Sequence, residues 1–400
     1  MNAPVATHSA AEERRAAAVA CGAHALHDGY TDLIYVMLPV WQGEFGLSYA
    51  ALGLMKTVFS GALAGFQIPS GLLAERFGAP LVLALGTALA GLGYCFAGLS
   101  QGIAALIAAL FIGGLGASTQ HPLASSLVAR AFAGPRSLKA LGTYNFAGDI
   151  GKMTVPAAAS LLLVVLPWRE ALALLGGCGF LVAIVIFVAM PRFAGEAATP
   201  KSEAPARPPS RLSQFGFPLL LSVGVIDSAT RMGFLTFLPF VLKAKGASIP
   251  TVGVALTLVF AGGAAGKLVC AFIGARIGAV ATVWLTEALT ALTIVVLLPL
   301  PLDFALLLLP IIGIALNGTS SVLYGSVPDL VAPNKRQRAF SIFYTGTIGA
   351  GAVSPALYGL LGDAIGVTPT LITLAAIVLL TLPLTLALRP ALAARVSAAS

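Results

Sequence analysis

Several ionisable side chains stand inside segments that are otherwise apolar. Four are basic (Lys56, Lys152, Arg231, Lys267) and five acidic (Asp28, Asp32, Asp149, Asp227, Glu287). Each costs a few kcal/mol in hydrocarbon, so such groups face water or one another. Spacing groups them. His24, Asp28, Asp32 and Tyr35 form a polar stripe at helical spacing. Asp149 and Lys152 are i,i+3, and Asp227 and Arg231 are i,i+4, so each pair shares a helix face. His121 stands beside Pro122, and Tyr144, Asn317 and Tyr324 are further hydrogen-bonding groups in apolar surroundings. A carboxyl in a wet, low-dielectric chamber can take up and release a proton, and Asp28, flanked by His24 and His27, suits that role best. Arg231 or Lys152 would attract an anionic group. Purely structural roles are the alternatives. Asp227 with Arg231 could simply hold helices together, Asp149 with Lys152 could neutralise itself, and His121 could pack against its proline. Asp32 would be solvated near a cavity mouth, Lys56 would snorkel to the end of its helix, and Lys267 and Glu287 would pair.

The elements that carry these groups follow from composition. Of 400 residues, 58% are hydrophobic and 10% charged, against about 25% charged in soluble proteins. Apolar stretches of about 20 residues recur, the length that crosses a bilayer. The expected fold is all-α: 12 transmembrane helices in two pseudo-symmetric six-helix bundles. The first set of spans falls at 17–41, 48–74, 79–99, 103–131, 138–165 and 169–190. The second falls at 214–242, 250–274, 279–299, 303–331, 335–361 and 365–389. The domains are a tail 1–16, a bundle 17–190, a Pro-, Ala- and Ser-rich linker 191–213, a bundle 214–389 and a tail 390–400. The stretch that starts the chain lacks a clean apolar core and cleavage site, so it reads as the first span rather than a leader.

Loops on the side of the termini hold sixteen Lys and Arg, including Arg76, Arg136, Arg192, Lys201, Arg207, Arg211 and Arg395. The opposite loops hold Arg169, Lys243 and Lys245. This asymmetry places both termini in the cytoplasm of a cell with an inner (plasma) membrane. It also makes the net charge of +8 a topology signal rather than a nucleic-acid surface. Cys21, Cys95, Cys178 and Cys270 are scattered through apolar segments and read as small buried side chains, with no metal site. No Ser-His-Asp constellation or nucleotide-binding P-loop is evident, which argues against an enzyme, a cofactor and ATP as the energy source. The halves repeat at an offset near 200. Leu38-Pro39 answers Leu238-Pro239, Arg76-Phe77-Gly78-Ala79 answers Arg276-Ile277-Gly278-Ala279, and Val155-Pro156-Ala157 answers Ser354-Pro355-Ala356. Duplicated halves typify secondary transporters with a solute site at mid-membrane.

Gly71 to Pro80, GLLAERFGAP, resembles the Gly-x-Leu-Ala-Asp-Arg-x-Gly-Arg-Lys loop of the major facilitator superfamily, with Glu75 for the Asp and Ala79-Pro80 for the basic pair. Gly71 is expected to allow close helix contact, Gly78 a tight loop, and Glu75 with Arg76 an ion pair that changes with conformation. Three segments look most like the fosmidomycin-resistance-like exporters: HALHD (24–28), GGLGASTQHP (113–122) and NFAGDIGKMTVP (145–156). In the last, Asp149 replaces an expected Asn, Lys152 an apolar residue and Val155 a Gly. The superfamily resemblance implies a cavity lined by spans one, four, seven and ten. His24, Asp28, Tyr35, His121, Asp227 and Arg231 would converge there, with Asp149 and Lys152 alongside. The expected function is alternating-access transport of a small anionic or amphiphilic solute by a monomer in the lipid bilayer, coupled to protons as efflux. Uptake by proton symport is the alternative, and a receptor or assembly role the distant third.

Overall fold

Helix boundaries follow from glycines that adopt left-handed backbone and from serines that cap. Gly46, Gly78, Gly246 and Gly278 have φ of 61°, 87°, 89° and 82°, a region that a side chain would strain. Two residues after Gly46 and Gly246 come Ser48 and Ser248. Their hydroxyls accept the amide N–H of Ala51 (3.2 Å) and Thr251 (3.3 Å) at the start of the next helix. The repeat inferred from the sequence is therefore built into the turn chemistry.

A computed structural model of the chain describes residues 9–132, 135–191, 213–332 and 335–399. The linker at 192–212, with Arg192, Lys201, Arg207 and Arg211, lies outside the described residues, as do residues 1–8 of the tail. The described residues are helical with no strands. In chain order they form α1 (Ala10–Phe45), α2 (Tyr49–Gly65), α3 (Gln67–Phe77), α4 (Ala79–Leu99), α5 (Ile103–Ala117), α6 (Gln120–Ala131), α7 (Pro135–Val165) and α8 (Trp168–Ala189). There follow α9 (Ser213–Ala244), α10 (Ile249–Ile277), α11 (Ala279–Leu297), α12 (Leu302–Leu330), α13 (Arg336–Ile365), α14 (Val367–Val378) and α15 (Thr381–Ala399).

Ten helical stretches are long and apolar enough to cross a membrane, and the pair α2–α3, bent by 41°, makes an eleventh. The remaining crossing is α1, whose 36 residues are amply long but carry the polar stripe from His24 to Asp32. Three spans read as continuous in the sequence are broken. The α2–α3 and α14–α15 breaks precede Pro69 and Pro383, which sit in the first turn of the following helix, where a missing N–H costs nothing. At the α5–α6 break, the Ser118 and Thr119 hydroxyls donate to the carbonyls of Leu115 (2.7 Å) and Gly116 (3.0 Å).

The helices cluster into two units. One holds the described residues of Met1–Ile34 and Val58–Thr199, the other those of Tyr35–Thr57 and Pro200–Ser400. The last three turns of α1, from Tyr35, and the first half of α2 thus belong with the later helices. Each unit has a core of its own. In the first, Ala20, Ala23, Leu83, Leu123 and Leu127 are buried together. In the second, Leu220, Val223, Val283, Leu323 and Val327 are. Each residue lies 200 positions from its counterpart. Large apolar side chains such as Val165, Val188, Phe272 and Leu307 remain exposed on the helix surfaces, as lipid-facing residues do. The chain is a multi-pass membrane protein.

Candidate functional site

Within the first unit, α7 crosses α1 at unusually close range, because Gly148 and Gly151 face it. A Cβ on Gly151 would collide with the Ala25 carbonyl, and one on Gly148 would lie 2.7 Å from Asp28 Oδ2 and 2.7 Å from His24 Cε1. Val155, standing where resemblance suggested glycine, is accommodated because its opposite number on α1 is Gly29. The small residue has moved to the other helix, and the close approach survives.

That approach assembles four sequence-predicted residues. Asp28 Oδ1 lies 3.4 Å from His24 Nε2 and 3.7 Å from His121 Nε2, and Asp28 Oδ2 lies 3.4 Å from Lys152 Nζ. Lys152, whose spacing suggested Asp149 as partner, thus reaches across to α1. Asp149 is buried beside it on α7. His24 is fixed on two sides. Its Nδ1 meets the Tyr144 carbonyl at 2.8 Å, and its ring stacks on Tyr144 with centroids 4.1 Å apart. A carbonyl only accepts, so Nδ1 carries the hydrogen and Nε2 is left to face Asp28. Gln120, fully buried, donates to the Tyr144 hydroxyl at 3.3 Å and sets the turn that presents His121. His27 points elsewhere. Its Nε2 donates to Thr87 Oγ1 (2.9 Å), whose own hydrogen goes to the Leu83 carbonyl.

His24, Asp28 and His121 place one ligand atom each within 4.8 Å of the others, the one such group among the described residues. The arrangement would hold a small cation. With the Lys152 ammonium already on the carboxylate, a proton suits it better than a divalent metal. Two lone pairs, His24 Nε2 and Asp28 Oδ1, face each other at 3.4 Å. A proton placed between them turns repulsion into a charge-assisted contact.

The second unit has its own polar cluster. Arg231 donates to Ser320 Oγ (2.8 Å), and Ser320 donates to Asp227 Oδ2 (3.4 Å). The direct Arg231–Asp227 separation is 3.9 Å, so the i,i+4 pair is relayed through a serine that the sequence did not single out. Glu287, read as a partner of Lys267, is buried where Asp227, Arg231 and Thr319 act on it. Asn317 and Tyr324 flank Ser320 on the same face of α12 but are engaged in packing. Asn317 lies against Gly263 and donates to the Gly313 carbonyl, and Tyr324 packs among Phe340, Phe343 and Tyr344. Tyr35 is fully buried in this unit and donates to Met232 Sδ.

Two expectations about buried charge are corrected. Lys56 does not snorkel: it is 1% exposed, with its ammonium 4.6 Å from the Tyr35 ring centroid, a cation–π contact that replaces water. Asp32 is buried rather than solvated. In the α3–α4 loop, Gly78 makes the tight turn, but Gly71 stands in open space and serves no close contact. Glu75 and Arg76 are exposed and unpaired with one another, and the Arg76 guanidinium lies over Phe77.

Similarity to known proteins agrees with this architecture. The sequence pattern of the Major Facilitator Superfamily matches residues 20–226 and 220–399. The fosmidomycin resistance protein of Escherichia coli (strain K12) is 24% identical over 346 residues, 85% of this chain and 84% of that protein. The cephamycin export protein CmcT of Amycolatopsis lactamdurans is 32% identical over 38% of this chain and 32% of its own length. A bacterial homologue of the human lysosomal transporter Spinster, solved inward-facing and occupied, superposes with a TM-score of 0.80 at 15% identity, over 96% of this chain and 98% of that one. With duplicated halves, lipid-facing apolar helices and the pattern matched in both, the chain belongs to the Major Facilitator Superfamily and is a membrane transporter rather than an enzyme.

Proposed function

We propose that this transporter exports a small anionic or amphiphilic solute across the inner membrane by alternating access, driven by protons entering in exchange, as a monomer with both termini cytoplasmic. The observation that carries the reading is the Asp28 cluster. One buried carboxyl is contacted by two imidazoles and one ammonium drawn from α1, α6 and α7. Proton and anion compete there. With a proton on the imidazole–carboxylate contact, Asp28 is neutralised and the Lys152 ammonium is released toward an anionic group. When the solute leaves, Lys152 returns to Asp28 and the proton departs. Asp149 and Asp227 extend the acidic path, and Arg231 offers a second cation for the solute. Glu75, Arg76 and Gly78 form the loop across which the two conformations differ. Relatives named for fosmidomycin resistance and cephamycin export favour the outward direction.

Proton-coupled uptake is the second reading, favoured by Val155 where the export pattern has glycine. Proteoliposomes with an imposed pH gradient, using fosmidomycin as the first probe, separate the two. Accumulation in antiport with protons supports export, and co-transport with protons supports uptake. Asp28→Asn is expected to abolish the gradient dependence in either case, and unchanged coupling in that variant removes Asp28 from the mechanism. A thermal-shift screen of purified protein against phosphonates, organic acids and cationic drugs tests the solute class. Stabilisation by cationic drugs alone refutes an anion site built on Lys152 and Arg231.

A further inference from the structure

The turn between the first two crossings is held by a carboxylate outside the two charged clusters. Residues 35–57, the end of α1 and the start of α2, pack with the second unit, although both helices continue into the first. Asp363, on the last turn of α13, holds them there. Its Oδ1 accepts the amide N–H of Tyr49 at 2.7 Å and its Oδ2 that of Ala50 at 3.0 Å. Ser48 takes the next amide, that of Ala51. The first three N–H groups of α2 are therefore satisfied, two of them by a distant helix of the other half. Along the same face the two backbones nearly touch. A Cβ on Gly53 would strike the Pro355 carbonyl, and one on Gly359 the Tyr49 carbonyl. The Tyr49 ring packs on Phe237 and Phe240 of α9, with centroids 5.6 and 5.2 Å away. The duplicated half lacks the groups for this bond. Pro250 stands in the place of Ala50 and has no amide hydrogen. Val164 stands where the offset between Pro156 and Pro355 puts the counterpart of Asp363. A contact needed merely to build a six-helix bundle has no reason to be confined to one half. Its chemistry is also reversible. Asp363 is exposed, and Tyr49 and Ala50 are half-buried, so water can take over both amides at the helix end when the carboxylate leaves.

We infer that Asp363 is a positioning residue of the transport cycle: it clasps the start of α2 to α13 in one conformation and releases it in the other. The inference rests on the alternating-access reading. Residues 35–57 are continuous with helices rooted in the first unit yet are clasped by the second, so movement of one bundle against the other must break the clasp. Glycine against backbone at Gly53 and Gly359 lets α2 and α13 part there without repacking interlocked side chains. The carboxylate thereby sets how readily the carrier turns toward the side opposite its termini, where this turn lies.

Spin labels on Leu54→Cys and Leu357→Cys, exposed positions on α2 and α13, report the separation of the two helices by pulsed electron paramagnetic resonance, with Cys21, Cys95, Cys178 and Cys270 replaced by alanine. Asp363→Ala should raise the population with the longer separation about fivefold, the equilibrium equivalent of one lost helix cap. Asp363→Asn, which keeps one acceptor oxygen, should raise it by less. Lys245→Met, which removes two hydrogen bonds elsewhere in the unit, should leave the distribution unmoved. A distribution unchanged in Asp363→Ala, or moved equally by Lys245→Met, overturns the inference. A second measurement keeps Asp363 and so does not depend on those variants folding. Bridging the two cysteines with a reducible crosslinker should stop fosmidomycin exchange in proteoliposomes, and reduction should restore it. Exchange that continues through the bridge overturns the inference and leaves the alternating-access reading standing. If the unbridged protein carries no fosmidomycin, that solute is refuted, while the distance measurement still judges the clasp.

Discussion

Replacing Lys152 by methionine tests how the Asp28 cluster is balanced. The ammonium lies 3.4 Å from Asp28 Oδ2, with the two side chains 31% and 11% exposed. At that distance and an effective dielectric of about 20, opposite unit charges attract by about 5 kcal/mol. Part of this offsets the cost of taking both charges out of water, so the pair adds little net stability. Removing one partner is different, since it leaves an uncompensated buried carboxylate and typically costs about 3–5 kcal/mol. His24 and His121 lie close enough to Asp28 to take over some of the charge. We therefore place Lys152→Met at the lower end, about 3 kcal/mol. Asp28→Asn alone should cost a similar amount, by stranding the ammonium. The double variant should be destabilised by about 1 kcal/mol or less, because a buried ion pair exchanged for neutral groups of similar size is often close to neutral. The assay is a double-mutant cycle by denaturant unfolding in detergent. The reasoning predicts a coupling of several kcal/mol. Additive single costs would show that the two residues do not balance each other.

Three further outcomes follow from local geometry. Gly148→Ala places a methyl group 2.7 Å from both Asp28 Oδ2 and His24 Cε1. It should cost about 1–3 kcal/mol and abolish gradient-driven transport, and a fully active, equally stable variant would refute the crossing geometry. Asp363 on α13 accepts the amide N–H of Tyr49 (2.7 Å) and Ala50 (3.0 Å) at the start of α2, so Asp363→Ala should lose about 1 kcal/mol and speed amide exchange at residues 49–52, whereas unchanged exchange would exclude the cap. Lys245 donates to the carbonyls of Leu298 (2.7 Å) and Leu300 (2.6 Å) just beyond α11. Lys245→Met should lower the unfolding free energy by about 1 kcal/mol, and an unaltered unfolding midpoint would show that water replaces the lysine without loss.

Much of the fold was legible because a bilayer imposes simple rules. A helix must be about 20 apolar residues long to cross, and Lys and Arg mark the ends of spans. The duplicated halves were visible in Gly78 and Gly278 because a left-handed turn admits little else. The helix breaks at Ser118 and Leu379 were not, since hydroxyl groups and prolines near a span end are compatible with either a bend or a continuous helix. Of the site, His24, Asp28 and His121 were found because charge in an apolar segment is anomalous. Gly148, Gln120, Ser320 and Thr319 were missed, since small or neutral polar residues are common in membrane helices and signal nothing alone.

What the sequence determined by itself was the inventory: which helices cross, that they come in two related sets, and which buried groups needed partners. Partner choice was decided only by the tertiary structure. Lys152 shares a helix face with Asp149, and its ammonium also reaches Asp28 on another helix, because glycines at 148 and 151 let α7 approach α1. Glu287 lies under the influence of Asp227, Arg231 and Thr319 because α9 and α12 bring them near it. Periodicity along one helix fixes which face a charge occupies. Which neighbour that face meets depends on how closely two backbones can pass, and that is a property of the pair.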